Sequence, residues 1–286
     1  MTSQSDLNAP LEALPPLRDV ISAFGLDADK RLGQHFLLDL NLTNRIARAA
    51  GNLSEGVTLE IGPGPGGLTR ALLACGAQRL IAVEKDPRCI AALETLVAAS
   101  AGRLTLHQGD ALAFDTTALG SGPCRIVANL PYNVATPLLV GWLKTIARYD
   151  SLTLMFQKEV AERIAAPVGS DAYGRLSVLT GSLADAEILF DIHPRAFTPP
   201  PKVVSTVVRI TPKPVAPTID VKALETVTAA AFGQRRKMLR ASLKSLGLDP
   251  LPLLQAAGID PTARAETIDI DGFARLTLAW KALQRA

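Results

Sequence analysis

The chain has 286 residues, 48% of them hydrophobic and 20% charged, with a formal net charge of +3. That length suits one large domain plus a small one, each able to bury its own core. The composition is ordinary for a globular protein, and the small net charge gives no overall field for a polyanion, so any nucleic-acid surface has to come from local clustering.

Residues 1–15 read as a disordered N-terminal extension without the apolar core of a signal peptide. Short apolar runs with strand character follow at Val57–Ile61, Arg79–Glu84, Arg103–Gln108, Cys124–Ala128 and Ser151–Phe156. Helical patterns fall between most of them, at Asn41–Ala50, Gly67–Cys75, Arg88–Ala98 and Thr136–Ala147. Strands that are apolar throughout and separated by helices predict an α/β fold with a parallel sheet covered on both faces. The pattern then changes. Helices at Lys158–Ala165 and Arg175–Leu183 lead to strands at Glu187–His193 and Val203–Ile210. The segment HPRAFTPPPK, which leaves nine residues between these strands, is too short for a crossover, so the two are expected to be antiparallel neighbours. The Pro-rich TPKPVAPT at 211–218 marks a boundary between a domain at 16–212 and an all-α domain at 213–286. Helices are predicted there at Val221–Phe232, Arg236–Leu246, Leu251–Ala257 and Asp271–Leu283.

The three cysteines, Cys75, Cys89 and Cys124, are widely spaced among apolar neighbours, and the three histidines, His35, His107 and His193, are unpaired. Neither set matches a disulfide framework or metal-ligand spacing, which predicts buried thiols in a reducing cytoplasm and no metal. No apolar run approaches the roughly 20 residues needed to span a bilayer.

Chemistry concentrates at the carboxyl ends of successive strands. LEIGPGPGGLTRALL at 59–73 is a strand, a glycine turn and a helix start. Gly62, Gly64 and Gly66 allow close backbone approach to a ligand, and the helix N-terminus offers free N–H groups. Glu84 ends the next strand, where an acid can accept from both ribose hydroxyls of a nucleoside cofactor. Asp110 follows the third strand, where a carboxylate can accept from an adenine amino group. A nicotinamide cofactor would use the same edge, but no hydride-transfer acid follows. S-adenosylmethionine (SAM), which has no phosphates, fits the turn. Asn129 ends the fourth strand in VANLPYNV. Its side-chain oxygen and the Leu130 carbonyl can hold the two N–H bonds of an exocyclic adenine amine, Pro131 fixes the turn, and Tyr132 offers a face for a flipped base.

NLPY at 129–132 resembles the signature of adenine-N6 methyltransferases of ribosomal RNA. The wider chain resembles the dimethyladenosine transferases of the small-subunit RNA. The likeness runs through LGQHFLLD at 32–39, EIGPGPGGLT at 60–69, QKEVAERI at 157–164, YGRLSV at 173–178 and PRAFTPPPKVVS at 194–205. It implies a Rossmann-like SAM-binding sheet ending in an antiparallel strand, plus a small C-terminal helical domain. It also implies that Gln34, His35 and Leu37 line the cofactor site, that Gly62, Glu84, Asp110 and Asn129 hold SAM and the reacting centre, and that Phe197 is the second aromatic face for adenine. His35 stands where the best-known members carry Asn. Leu130 replaces the second proline of related signatures and is expected to leave room for an already methylated N6.

FGQRRKMLRASLK at 232–244 carries Arg235, Arg236, Lys237, Arg240 and Lys244. If helical, Arg236, Arg240 and Lys244 form one stripe, either a solvated face or a phosphate-tracking surface beside the active-site mouth, which Lys202, Arg163 and Arg175 could extend. The implied activity is dimethylation of two adjacent adenosines in a hairpin loop near the 3′ end of 16S rRNA in the 30S subunit or its precursor, by a monomer. Two alternatives stand beside it: a 23S rRNA adenine methylase, and an assembly checkpoint factor in which methylation is secondary.

Overall fold

The computed structural model describes residues 4–26, 35–120, 122–214 and 219–284. Gln34, expected at the cofactor site, lies outside them. The chain divides into two compact units. One comprises residues 1–158 and 187–211, the other residues 159–186 and 212–286. The helices after Phe156 therefore group with the C-terminal helices, not with the sheet that precedes them, so the chain crosses between units at 158, 186 and 211. The single boundary near 212 captures only the last of these crossings.

The first unit opens with α1 (Gln4–Glu12) and α2 (Leu17–Ala23). This corrects the expectation of a disordered extension over residues 1–15. Leu11 is buried in the main core, and the Arg103 guanidinium donates to the carbonyls of Leu7 at 2.9 Å and Leu73 at 3.0 Å. α1 is held by apolar burial and by a buried cation that needs carbonyl partners. Neither is visible from the local composition of residues 1–15.

Next come β1 (Phe36–Leu37), α3 (Leu40–Ala49), β2 (Val57–Ile61), α4 (Gly67–Ala74), β3 (Leu80–Glu84), α5 (Pro87–Ala99), β4 (Leu104–Gln108), β5 (Cys124–Ala128), α6 (Tyr132–Leu143) and β6 (Ser151–Gln157). Local chemistry explains two helix starts. Asp39 accepts from Asn41 N at the head of α3, and Asp86 accepts from Arg88 N at the head of α5, with Pro87 as the first helical residue. α6 begins four residues before the predicted Thr136, so Tyr132 is its first residue. Pro131, with its φ of −55°, precedes it directly.

After α7 (Lys158–Ile164) and α8 (Arg175–Leu183), β7 (Ala184–Ile192), β8 (Phe197–Thr198) and β9 (Ser205–Pro212) follow. The seven-stranded sheet has the order β4-β3-β2-β5-β6-β9-β7. β4, β3, β2, β5 and β6 are parallel, and β9 enters antiparallel to β6. β9 lies between β6 and β7, so the two late strands are neighbours as predicted. Every residue of β2, β3 and β5 is buried, as expected for strands covered on both faces. The chain runs outward from β2 through β3 to β4, then returns to β5 on the other side. This reversal makes the carboxyl ends of β2 and β5 the switch point where open α/β sheets bind ligands. A separate two-stranded ribbon pairs β1 with β8, Leu37 opposite Phe197.

The second unit is helical: α7, α8, α9 (Val221–Gly233), α10 (Leu239–Ser242), α11 (Pro250–Ala257) and α12 (Ile270–Leu283). Tyr173, of the motif YGRLSV, is fully buried in it. Its hydroxyl donates to the Ile268 carbonyl at 2.9 Å and its ring meets Phe232, which stacks on Phe273. The predicted helix Arg236–Leu246 does not form as one element. Residues 234–237 turn, α10 spans four residues, and Leu243–Leu246 is a 3-10 turn. Leu239 N donates to Ala263 O at 2.8 Å and Arg240 N to Pro261 O at 3.2 Å. These donors are committed to another segment and cannot continue a helix from α9.

Candidate active site

β2 ends at Ile61, and the chain turns through Gly62, Gly64 and Gly66 before α4. Gly66 has φ +93°, and a Cβ there would lie 2.9 Å from Leu93 Cδ2, so only glycine fits without repacking α5. Gly64, at φ +56°, sits with its Cβ direction 3.3 Å from the Phe36 ring. The turn is thus pressed between α5 and β1, with its backbone left to face the sheet edge.

Glu84, at the end of β3, is nearly fully buried. Its Oε2 accepts from Gly64 N at 3.0 Å, and its Oε1 accepts from Lys85 N at 2.7 Å and Asp86 N at 2.9 Å. Three backbone donors orient the carboxylate and leave further lone pairs for ligand hydroxyls. Asp110 is exposed beyond β4. Its Oδ1 accepts from Leu112 N, its Oδ2 pairs with Lys85 Nζ at 2.9 Å, and both contacts hold its carboxyl below the usual range.

Beyond β5, Asn129 is half-buried and Leu130 buried. Among the described residues no hydrogen-bond partner takes the Asn129 carboxamide or the Leu130 carbonyl. Tyr132 is tied by its hydroxyl to Ser205. Phe197 is buried in the β1–β8 ribbon, and His35 lies against both rings.

These groups share one cavity of about 750 Å³, within the range of small-molecule sites. Its walls include His35, Leu37, Gly62, Gly64, Glu84, Asp110, Asn129, Leu130, Pro131, Tyr132 and Phe197. Every described residue expected to touch cofactor or base is therefore brought together.

The cavity also contains a residue absent from the expected set. Glu60 is fully buried in β2 and lines the same wall, and among the described residues neither of its carboxylate oxygens has a hydrogen-bond partner. Burial pushes its carboxyl up from 4.5 to about 8. The nearby Thr69 hydroxyl lowers it somewhat without completing a bond, and Glu84 adds to the rise. A lone acid in the apolar run VTLEI was the sequence sign of it. A buried carboxyl without a partner, set in a ligand-sized cavity, fits a ligand with a cationic group. SAM carries two, an α-ammonium and a sulfonium. The ribose-suited Glu84 and the amine-suited Asp110 match the rest of the molecule.

The expected RNA-facing cations fall in both units. Lys202 is exposed in the sheet unit. Arg163, Arg175, Arg235, Arg236, Lys237, Arg240 and Lys244 are exposed in the helical unit. Arg163 pairs with Glu159 one helical turn away, and Arg235 donates to the Ser170 carbonyl. Because Arg236 lies in a turn, the i, i+4, i+8 stripe through Arg236, Arg240 and Lys244 is not a helix face.

Residues 25–281 match the model of the family described as ribosomal RNA adenine dimethylase. The chain is 61% identical over 272 residues to a Rhodospirillum rubrum protein named ribosomal RNA small subunit methyltransferase A, covering 94% of each chain. It is 60% identical over 274 residues to the protein of the same name from Azorhizobium caulinodans, again covering 94% of each. Among solved structures it resembles a dimethyladenosine transferase from Plasmodium falciparum, with a TM-score of 0.75 and 26% identity, covering 87% of this chain and 98% of that one. It also resembles the 23S rRNA methyltransferase ErmE, with a TM-score of 0.66 and 25% identity, covering 86% and 99%. A sheet edge shaped for SAM, an open Asn–Leu–Pro–Tyr strand end and a match along nearly the whole chain agree: the protein belongs to the ribosomal RNA adenine dimethylase family of SAM-dependent methyltransferases.

Proposed function

We propose that this enzyme dimethylates N6 of two adjacent adenosines in a hairpin loop near the 3′ end of 16S rRNA. It acts as a cytoplasmic monomer on the 30S subunit or its precursor. The relatives at about 60% identity carry a small-subunit name, which favours this substrate over 23S rRNA. No described helix is long and apolar enough to cross a membrane.

One observation carries the chemistry: Asn129 and Leu130, whose carboxamide and carbonyl have no hydrogen-bond partner among the described residues, line the cavity that also holds the glycine turn, Glu84 and Glu60. SAM, when bound, supplies a methyl group activated by positive sulfur. Glu84, Asp110 and the glycine turn hold its ribose, its adenine and its amino-acid end, with Glu60 set against positive charge. The target N6 is a weak nucleophile because its lone pair is delocalised into the ring. The Asn129 side-chain oxygen and the Leu130 carbonyl accept its two N–H bonds and favour pyramidal nitrogen, aimed at the methyl carbon. Tyr132 and Phe197 stack on the extruded base. Burial raises the Tyr132 phenol above its ordinary value, partly offset by Ser205. That ring therefore stays neutral at physiological pH and serves as a face, not a base.

The deciding experiment incubates the protein and labelled SAM with unmethylated 30S and 50S particles and maps the labelled nucleotides. Label in 30S as dimethyladenosine at two adjacent positions is the expected result. Label confined to 23S rRNA overturns the proposal. An Asn129→Ala variant without methyl transfer that still supports normal subunit maturation would make the assembly role the primary one.

A further inference from the structure

Two polar contacts hold the aromatic pair in the cavity, and neither follows from the strand and helix pairing around it. Tyr132 Oη and Ser205 Oγ lie 2.7 Å apart. Ser205 is fully buried, opens β9 and sits opposite Gln157 of β6 in the sheet. Its hydroxyl is fixed by the sheet, whereas Tyr132 sits at the start of α6, where only one flank is helical. The second contact reaches the segment that carries the other ring. His35 Nδ1 donates to the Pro199 carbonyl at 2.7 Å, just past the β1–β8 pairing. The His35 ring lies 5.8 Å from that of Tyr132, tilted by 34°, and 6.5 Å from that of Phe197, edge-on at 78°.

We infer that Ser205 and His35 are positioning residues for the base-stacking pair. Ser205 fixes the Tyr132 ring through its hydroxyl, and His35 fixes the segment bearing Phe197 through Nδ1, its own ring lying against both aromatic rings at 5.8 and 6.5 Å. This rests on the reading of Tyr132 and Phe197 as the faces that receive the target base. The physical reason is geometric: a flipped adenine is placed by its stacking faces, and small displacements of a reacting atom cost rate steeply. A tether that only satisfied a buried hydroxyl would affect stability and leave turnover alone.

The test measures kcat, KM for SAM and melting temperature with unmethylated 30S particles as acceptor. Tyr132→Phe and Ser205→Ala are each expected to lower kcat about five- to tenfold, the size of one lost hydrogen bond expressed in the transition state. KM for SAM should stay within twofold. The double variant should be no slower than the slower single one, because both remove the same bond. His35→Leu should lower kcat, and His35→Asn should restore it, since the amide Nδ2–H can donate to Pro199 from nearly the same place. Unchanged kcat in Tyr132→Phe, losses that multiply in the double variant, or equal losses in kcat and SAM affinity would overturn the inference. If Ser205→Ala does not fold, Tyr132→Phe removes the same bond and leaves β9 intact. Tyr132→Ala and Phe197→Ala separate the two levels. If they leave kcat unchanged, the base-stacking reading fails. If they lower it while the tether variants do not, only the tethers fail.

Discussion

Glu84 Oε2 accepts a hydrogen bond from Gly64 N at 3.0 Å, so the acid at the end of β3 also braces the turn after β2. With Lys85 N and Asp86 N on its other oxygen, one carboxylate satisfies three backbone donors. Glu84→Ala should therefore do two things. It should weaken SAM binding more than tenfold, and it should lower the melting temperature, since each orphaned buried donor costs about 1–3 kcal/mol. Glu84→Gln keeps an acceptor for part of this network and should spare most of the stability while still weakening SAM. Isothermal titration and thermal melting together check the split. Unimpaired SAM binding by the Gln variant would assign the carboxylate to structure alone.

Glu60 predicts a pH signature. Its carboxyl titrates near 4.5 when unfolded and at about 8 when folded without ligand. Between those values the folded state holds the extra proton, so stability falls as pH rises from 4.5 towards 8. Glu60→Gln should remove that part of the slope. A cationic ligand reverses the preference and drives ionisation, so SAM binding below pH 8 should release a proton and tighten as pH rises. Titrations in buffers of different ionisation enthalpy read the released proton directly. Glu60→Gln should abolish the release, and 5′-methylthioadenosine, which lacks both cationic groups, should bind without it. Equal proton release by wild type and Glu60→Gln would rule out the assignment.

The parts of this fold legible in the sequence are those set by short-range pattern. β2, β3 and β5 are short, mainly apolar runs, and each ends in a residue or turn that carries chemistry, so Glu84 and Asn129 could be placed on one sheet edge from periodicity and topology rules. The parts that were not legible depend on partners distant in sequence. α1 is anchored by Arg103, far along the chain. The break in the helix predicted at Arg236–Leu246 comes from Leu239 and Arg240 donating to residues 261–263. Ser205 and Tyr132 are 73 positions apart and meet only because β9 inserts beside β6. Glu60 was hidden for the opposite reason: an acid inside a buried strand looks like an interruption of the pattern until the cavity beside it is seen.

Leu130 bears on product identity. Its side chain is buried against the glycine turn, with Cδ2 3.8 Å from where a Cβ on Gly62 would lie, and its carbonyl has no hydrogen-bond partner among the described residues. A second methylation requires that the site admit an N6 already carrying a methyl group. Leu130→Pro restricts the residues around the carbonyl and removes the leucine side chain under the turn. The variant should accumulate N6-methyladenosine at the expense of dimethyladenosine, measured by mass spectrometry of digested rRNA. An unchanged yield of dimethyladenosine would show that this side chain does not set the room available.

The cations of the helical unit should separate from the cavity residues in their response to salt. Arg236 and Lys237 lie in the turn after α9 and Arg240 in α10, all exposed, and among the described residues none forms an ion pair with an acid, although Arg240 is near enough to Asp260 to help hold its carboxyl down. Arg235 is partly committed to the Ser170 carbonyl and Arg163 to Glu159, so these two have less to offer a phosphate. Arg236→Ala and Arg240→Ala should each raise KM for 30S particles several-fold at 150 mM salt (roughly the physiological level) and leave SAM affinity unchanged. Each should also make the salt dependence of RNA binding shallower by about one released counterion. Arg163→Ala should shift both quantities less. A KM that rises equally at low and high salt, or a larger loss from Arg163→Ala than from Arg236→Ala, would move the phosphate contacts elsewhere on the protein.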